Sequence, residues 1–386
     1  MNYCMIKSFC SGCGLCQSIG GIEVLENKQG FIRPLETLKE VSNVCPAVHA
    51  YRMVNKTDQE WGDYISVYTG YSADQQLRRQ ASSGGIITQT SSYLLEKDLV
   101  DGILQIGYID NNPLHTCLYC STTKENVKNH CGSRYSPSAP LLNIKQYLDL
   151  GKRYAFVGKP CDIRGIRLLC EQYPEYKKCI LYTLSFFCAG TPSIIANENL
   201  VRAMGGDTNN IKAFTYRGNG WPGQAILTDR EENNYTMSYE LSWGAYLGRD
   251  VQRACRFCWD GIGEEADISC ADAWYIKNNG PDFKEKPGRN VIFARTNIGN
   301  NLLERMVKDR VVHVDEYDLN ELKIIQKYQY LRRATMPEKI SALRLCFKVT
   351  PPIKCKRIAL YNFALNNKDR FKIFFGTVKR ILKKQI

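Results

Sequence analysis

Two passages, Arg153-Tyr-Ala-Phe-Val-Gly-Lys-Pro-Cys-Asp162 and Ile180-Leu-Tyr-Thr-Leu-Ser-Phe-Phe-Cys-Ala-Gly-Thr-Pro-Ser193, follow one pattern. Each has a short apolar run, then a turn of small residues carrying one cysteine, then a helix start. Arg153–Val157 reads as a strand, followed by a helix from Asp162 to about Cys170. Ile180–Phe187 reads as the next strand, and Thr191-Pro192-Ser193 as an N-cap with proline at the first helical position. Val100–Ile109 adds a further strand. This rhythm predicts a mixed α/β (α+β) fold built on a mixed sheet. If the two strands are neighbours, Cys161 and Cys188 emerge at the same sheet edge. Cys161 also stands at a helix start, where the dipole favours a thiolate.

Outward from this centre the chain divides. Residues 1–55 form a small cysteine-bearing module, Asn55–Tyr64 a polar linker, 65–330 the main domain and 340–386 a basic tail. The 386 residues suffice for one large domain with smaller attachments, and 44% hydrophobic content supports a packed core. The net charge of +13 is concentrated at the end. Arg344–Ile386 holds twelve Lys/Arg against Asp369 alone, leaving +2 for the rest. The nearly neutral body argues against nucleic acid as a partner. In the tail, Phe371, Phe374, Phe375, Val378, Ile381 and Leu382 recur at helical spacing among Lys372, Lys379, Arg380, Lys383 and Lys384. Such a basic amphipathic helix suits peripheral contact with the inner face of an anionic membrane, or packing on the body or a neighbouring subunit. A homo-oligomer is left open.

Seventeen cysteines, with no secretory pattern at the N-terminus and no apolar run long enough to span a bilayer, place the chain in a reducing cytoplasm. There, clustered cysteines imply metal or catalysis. Cys10-Ser-Gly-Cys13-Gly-Leu-Cys16 is a C-x2-C-x2-C triplet with Cys45-Pro46 at a distance. Three thiolates two residues apart can wrap one face of a cubane, and the remote cysteine closes the fourth corner. Gln17–Gly20 lacks the further Cys-Pro of a two-cluster ferredoxin, so this module should hold one 4Fe–4S cluster, not two. A second set combines Cys161 and Cys188 with Cys255-Arg-Phe-Cys258. Cys117 and Cys120 alternate along a strand and are read as structural. The competing reading, zinc on paired knuckles, fits the triplet poorly.

These segments, together with Gln80–Gly85, Tyr216–Gly223, Ala266–Ser269 and Asp272-Ala-Trp274, resemble the beta subunit family of coenzyme F-420 hydrogenase and dehydrogenase. That family includes 7-hydroxymethyl chlorophyll a reductases and bacterial members found in polysaccharide gene clusters. The matches run in the family's order over roughly residues 8–300, with Ala271 where the family commonly has Gly. The resemblance implies FAD, a cluster near it, and hydride exchange with a small-molecule substrate or coenzyme. For FAD, Ser82, Ser83, Gly84 and Gly85 open a helix over Ile86–Leu95 and offer bare amides, or form an ordinary helix cap. Gly132, Ser133, Arg134 and Tyr135 form a second small-residue loop with a cation. No G-x-G-x-x-G fingerprint follows a strand. Lys159 beside Cys161 is a candidate for both flavin binding and catalysis, or a solvated turn lysine. Arg217 and Asp272 are candidate catalytic residues or parts of a structural turn.

The expected function is an oxidoreductase that passes electrons between a ferredoxin-like carrier and a hydride-exchanging partner, through FAD and two 4Fe–4S clusters. His49, His115, His130 and His313 supply little acid–base chemistry. Two other classes stand beside it: a non-catalytic electron-transfer or docking subunit of a larger complex, and a zinc-stabilised interaction protein.

Overall fold

The computed structural model describes residues 2–36, 39–49, 60–353 and 365–383. Its centre is an eight-stranded sheet built in chain order from β1 (Ser66–Ser72), β2 (Gly102–Ile109), β3 (Asn112–Ser121), β4 (Tyr154–Gly158), β5 (Ile180–Phe186), β6 (Ile268–Asp272), β7 (Asn290–Ala294) and β8 (Val312–Glu316). The spatial order is β8-β1-β7-β6-β5-β4-β2-β3. The four central strands β6, β5, β4 and β2 are parallel to one another. Antiparallel strands finish both edges.

Side-chain alternation divides β4 between two cores, as the period of two requires. Tyr154 and Phe156 face one cluster, with Leu15, Leu141, Ile163 and Ile166. Ala155 faces the other, with Ile86, Ile103, Leu184 and Leu302. Being buried on both faces, these strands read as continuous apolar runs.

The helix after β4 is α1 (Pro160–Gln172), longer than its sequence reading because Pro160 takes the first helical position and Cys161 lies inside the first turn. The helix after β5 is α2 (Ile194–Ala203). Its N-cap is Ser193 alone, which accepts from the Ala196 amide at 2.9 Å. Pro192 stands outside, bridged to Val251.

Two boundaries differ from the sequence reading. Within the expected linker, residues 55–59 lie outside the described residues, but Trp61 is fully buried and stacks on Phe187 with centroids 6.1 Å apart. The end of that polar stretch is therefore core. The N-terminal module, in turn, shares the core of the sheet through Cys13, Leu15 and Val44. Leu141 N–H donates to the Cys13 carbonyl at 2.9 Å, and Ile194 N–H to the Gly30 carbonyl at 3.0 Å.

Gly14 makes this junction fit. Its φ is +84°, and a Cβ there would come within 2.9 Å of the Leu142 backbone. A left-handed residue costs roughly 1–3 kcal/mol without glycine, before any clash. Gly14→Ala is accordingly expected to cost at least about 2 kcal/mol, read as a lowered unfolding midpoint in urea.

At the C-terminus, a helix over Met336–Leu345 begins before the expected tail and packs against the helix Asn367–Leu382. Phe374, Val378 and Ile381 turn inward onto Ile6, Phe9, Phe257 and Leu343. Phe371, Phe375 and Leu382 stay exposed. The tail's apolar residues thus serve two faces, and the inner face packs on the body. No helix among the described residues is long and apolar enough to cross a membrane.

Candidate functional site

A cleft of about 580 Å³ opens beyond the carboxyl ends of the parallel strands. Parallel strands end there in loops, so groups from distant parts of the chain converge. Ser82, Ser83 and Gly85 line it, as do Gly132, Ser133, Arg134, Tyr135, Lys159, Cys188, Arg217 and Asp272. The structure thus brings together two loops that the sequence could only nominate separately. Ser133 N–H donates to Ser82 Oγ at 2.7 Å, tying them edge to edge. Gly84 is the exception. It lies behind the wall, where a Cβ would approach Asn290 Oδ1 and the Gly70 carbonyl at 2.8 Å. Its contribution is close packing of the loop on β1 and β7.

Arg134 gives the small-residue end a cation. Its guanidinium lies 3.7 Å from the Tyr108 ring centroid and donates to the carbonyls of Ser133 and Cys131. Nε is buried without a hydrogen-bond partner, and among the described residues no carboxylate pairs with it. An anion placed at this end would meet an unneutralised charge.

Lys159 is not a solvated turn lysine. Its Nζ is buried, 2.7 Å from Asp162 Oδ2 and 2.7 Å from Ser138 Oγ. Burial pulls the ammonium's pKa down, but the Asp162 carboxylate, with Cys161 and Cys188, outweighs it and holds Lys159 charged. Asp162 also accepts from the Lys159 amide at 3.0 Å, which locks the turn onto α1.

Arg217 and Asp272 are committed to each other. Nη1 lies 2.9 Å from Oδ2 and Nη2 3.2 Å from Oδ1, while Nε donates to the Pro222 carbonyl. Trp221 Nε1 donates to Asp272 as well. The pair therefore presents no free charge to the cleft and instead fixes its aromatic wall. Tyr239 lies under the guanidinium at 4.4 Å, and Trp274 stacks on Trp221 at 4.4 Å. Tyr239, Trp243, Trp274 and Phe283 all face the cleft. Sequence reasoning missed Tyr239, Trp243 and Phe283, and also Cys270, which lines the cleft from β6. Only the adjacency of Trp274 to Asp272 gave a signal.

The first four cysteines, Cys10, Cys13, Cys16 and Cys45, line one small pocket with Leu15, Ile22, Val24, Val41 and Val44. Amides already point at their sulfurs: Gly12 N–H donates to Cys10 Sγ at 3.3 Å, and Leu15, Gln17, Ala47 and Val48 serve Cys13, Cys16 and Cys45. Burial, then repulsion between the thiolates, raises the pKa of Cys13 and pushes Cys16 to about 11 and Cys45 to about 12. Four thiolates in such a pocket need a cation among them.

The second set also converges. Cys161 senses Cys188 and Cys255, and Cys258 senses both Cys255 and Cys188. Thr191 N–H donates to Cys255 Sγ at 3.3 Å. The thiolate expected at Cys161 from the helix dipole is reversed: burial, followed by the Asp162 charge, raises that thiol. Cys117 and Cys120 lie in β3, as their alternation implied. Among the described residues, no group of three or more His, Cys, Asp or Glu side chains is gathered as for a single metal ion. A cubane makes a different demand, since each of its four thiolates binds a separate iron.

Two family models match this chain: the N-terminal part of the coenzyme F420 hydrogenase/dehydrogenase beta subunit over residues 67–145, and its C-terminal part over residues 151–320. The chain belongs to this family. The beta subunit of coenzyme F420 hydrogenase from Methanosarcina barkeri is 25% identical over 272 residues, covering 65% of this chain and 82% of the relative. The corresponding subunit from Methanothermobacter thermautotrophicus is 21% identical, covering 64% and 83%. Among solved structures, a chain of the F420-reducing [NiFe] hydrogenase complex of M. barkeri superposes with a TM-score of 0.59 at 20% identity, over 77% of this chain and 99% of its own. That likeness extends the family assignment to the fold. The matched segments contain the cleft loops and three cysteine-bearing turns, while the Cys10–Cys16 triplet precedes them.

Proposed function

We propose that this chain is a redox subunit that holds FAD in the cleft and two 4Fe–4S clusters on its two cysteine sets. In this role it passes electrons between a ferredoxin-like carrier and a hydride-exchanging coenzyme or substrate. The observation that carries the reading is Cys188. It lines the cleft and belongs to the second cysteine set, so the two sites share a wall. When bound, FAD exchanges hydride and also exchanges single electrons with iron–sulfur centres.

The chain's own residues do the rest. Ser82, Ser83, Gly85 and Gly132–Tyr135 would take the phosphate end, with Arg134, which meets no carboxylate among the described residues, supplying the countercharge. Tyr239, Trp243, Trp274 and Phe283 form an apolar wall suited to planar rings and poor in water. Lys159, held charged at the Cys188 side, would favour negative charge on a group beside it. Cys161, Cys188, Cys255 and Cys258 would hold the cluster next to the cleft. Cys10, Cys13, Cys16 and Cys45 would hold the one facing an external carrier. The relatives' designation as subunits of hydrogenases and dehydrogenases supports a protein partner in addition to the small molecule.

The test is anaerobic purification followed by iron, sulfide, zinc and flavin analysis with a visible spectrum. About eight irons and one FAD per chain are expected, since each cubane holds about four irons. Zinc without flavin would remove the redox reading and leave a zinc-stabilised interaction protein.

A further inference from the structure

Five arginines among the described residues are buried, and Arg295 is held by Ser269 Oγ and by the carbonyls of Trp61, Asp63 and Ile262. Arg164 pairs with Glu265, Arg217 with Asp272 and Arg333 with Glu264. Arg332, next to Arg333 on the helix Lys327–Ala334 and only 4% exposed, has no carboxylate partner among the described residues. Its Nη1 donates to the Cys188 carbonyl at 3.0 Å, and its Nη2 donates to the Ala189 carbonyl at 2.7 Å. Nη2 also lies 3.1 Å from the Tyr328 hydroxyl, and Nε is buried without a hydrogen-bond partner. Burying a guanidinium without an anion is costly. Cys258 and Cys188, once ligated as thiolates, are the nearby groups that would offer it negative charge.

The backbone is shaped to admit this charge. At Gly261 a Cβ would sit 2.5 Å from Arg332 Nη1 and 2.2 Å from Gln329 Oε1. The Gly261 carbonyl accepts from the Cys188 amide at 2.8 Å, and Gln329 Nε2 donates to the same Cys188 carbonyl that Arg332 binds. Helix and cysteine turn are thus clamped together, with the guanidinium held on the Cys188 and Ala189 carbonyls.

Other charges near this set are partly cancelled. Lys159 acts on Cys161 and Cys188 but has Asp162 at 2.7 Å. Lys339 acts on Cys258 from the next helix, and Asp260 opposes it. The first set is different: among the described residues, the charges acting on Cys13, Cys16 and Cys45 come from within that set, Cys10 included.

We propose that Arg332 is the built-in counter-ion of the cluster on Cys161, Cys188, Cys255 and Cys258, a positioning residue that raises that cluster's reduction potential and leaves the first cluster's unchanged. This rests on the proposed second cluster. Reduction adds one electron and therefore one negative charge, with no proton required. A cation fixed in a low-dielectric wall stabilises the reduced state more than the oxidised one.

The test is an EPR-monitored redox titration of anaerobic, iron-loaded full-length protein, with Arg332→Gln and Arg332→Lys beside the wild type. Cys161→Ala and Cys13→Ala assign the two signals. In Arg332→Gln, the midpoint of the signal missing from Cys161→Ala should fall. The expected shift is at least a tenfold change in that cluster's one-electron equilibrium, about 59 mV. The other midpoint should hold still, and Arg332→Lys should recover most of the shift. Unchanged midpoints in an iron-replete Arg332→Gln protein would overturn the inference, as would a shift in Arg332→Lys as large as in Arg332→Gln. If Arg332→Gln loses iron, Arg332→Lys decides: retention of the cluster at its native potential supports the charge role, and loss in both overturns it. If the wild type shows one cluster only, abolished by Cys13→Ala and indifferent to Cys161→Ala, the second-cluster reading fails and the inference with it.

Discussion

Cys13→Ala is expected to lose about half of its iron and keep its flavin, whereas Cys188→Ala loses the other half and disturbs the flavin too. The asymmetry comes from where the cysteines stand. Cys13 is buried in the small pocket of the N-terminal module, among Leu15, Ile22 and Val44, and contributes nothing to the cleft. Cys188 lines the cleft and would also serve the proposed second cluster. Its carbonyl also holds Gln329 and Arg332, so a disturbed turn would shift the cleft wall. Iron and flavin quantification on the two variants, purified anaerobically in parallel, reads the result directly. Loss of all iron from either variant would mean that the eight cysteines do not form two independent sites.

Lys159→Met is the other large effect. It removes the ammonium and leaves the Asp162 carboxylate buried, 1% exposed, with the Lys159 amide as its only remaining donor among the described residues. Breaking a buried pair from one side costs roughly 3–5 kcal/mol, because the remaining charge is stranded in low dielectric. Lys159→Met/Asp162→Asn removes both charges, keeps the side-chain acceptor for the Lys159 amide, and should regain most of that loss. Urea unfolding of wild type, single and double variants measures it. Should the single variant cost less than about 1 kcal/mol, below that range for a broken buried pair, Lys159 and Asp162 are not a coupled buried pair. Should the double variant be as weak as the single one, the lysine's methylene packing rather than its charge is what matters. Flavin content adds a second readout: a stable double variant that retains iron but no FAD would assign the ammonium to the cofactor.

Local pattern carried the sequence reading a long way. The strands β2, β4 and β5 and the helix from Ile86 were visible because apolar runs end in small or capping residues. The cysteine spacing nominated both metal-ligand sets. Adjacent parallel strands then placed Cys161 and Cys188 at one sheet edge, as expected from two similar strand–turn–helix passages in succession. What stayed illegible was set by contacts distant in sequence. Trp61 sits in a polar stretch and reads as linker, yet its partner Phe187 lies more than a hundred residues on. Lys159 looks like a turn lysine until Asp162 and Ser138 close over it. Arg217 and Asp272 look like free catalytic charges, and only the fold shows that they neutralise each other. The aromatic wall is collected from Tyr239, Trp243, Trp274 and Phe283, none of which stands in a repeating pattern. Arg332 is hidden for the same reason, since nothing in Leu331-Arg-Arg-Ala334 distinguishes it from Arg333.

The keyed seam between the cysteine module and the sheet has a consequence for kinetics. The Cys13 carbonyl, Gly14 and the Gly30 carbonyl are locked against Leu141, Leu142 and Ile194, so the module is not a swinging arm. The spacing between its thiols and those at Cys161 and Cys188 is fixed when the chain folds. Internal electron passage should then proceed at one rate per molecule, insensitive to solvent viscosity. Encounters with the outside carrier and with the hydride-exchanging partner would be the steps that thickened solvent slows.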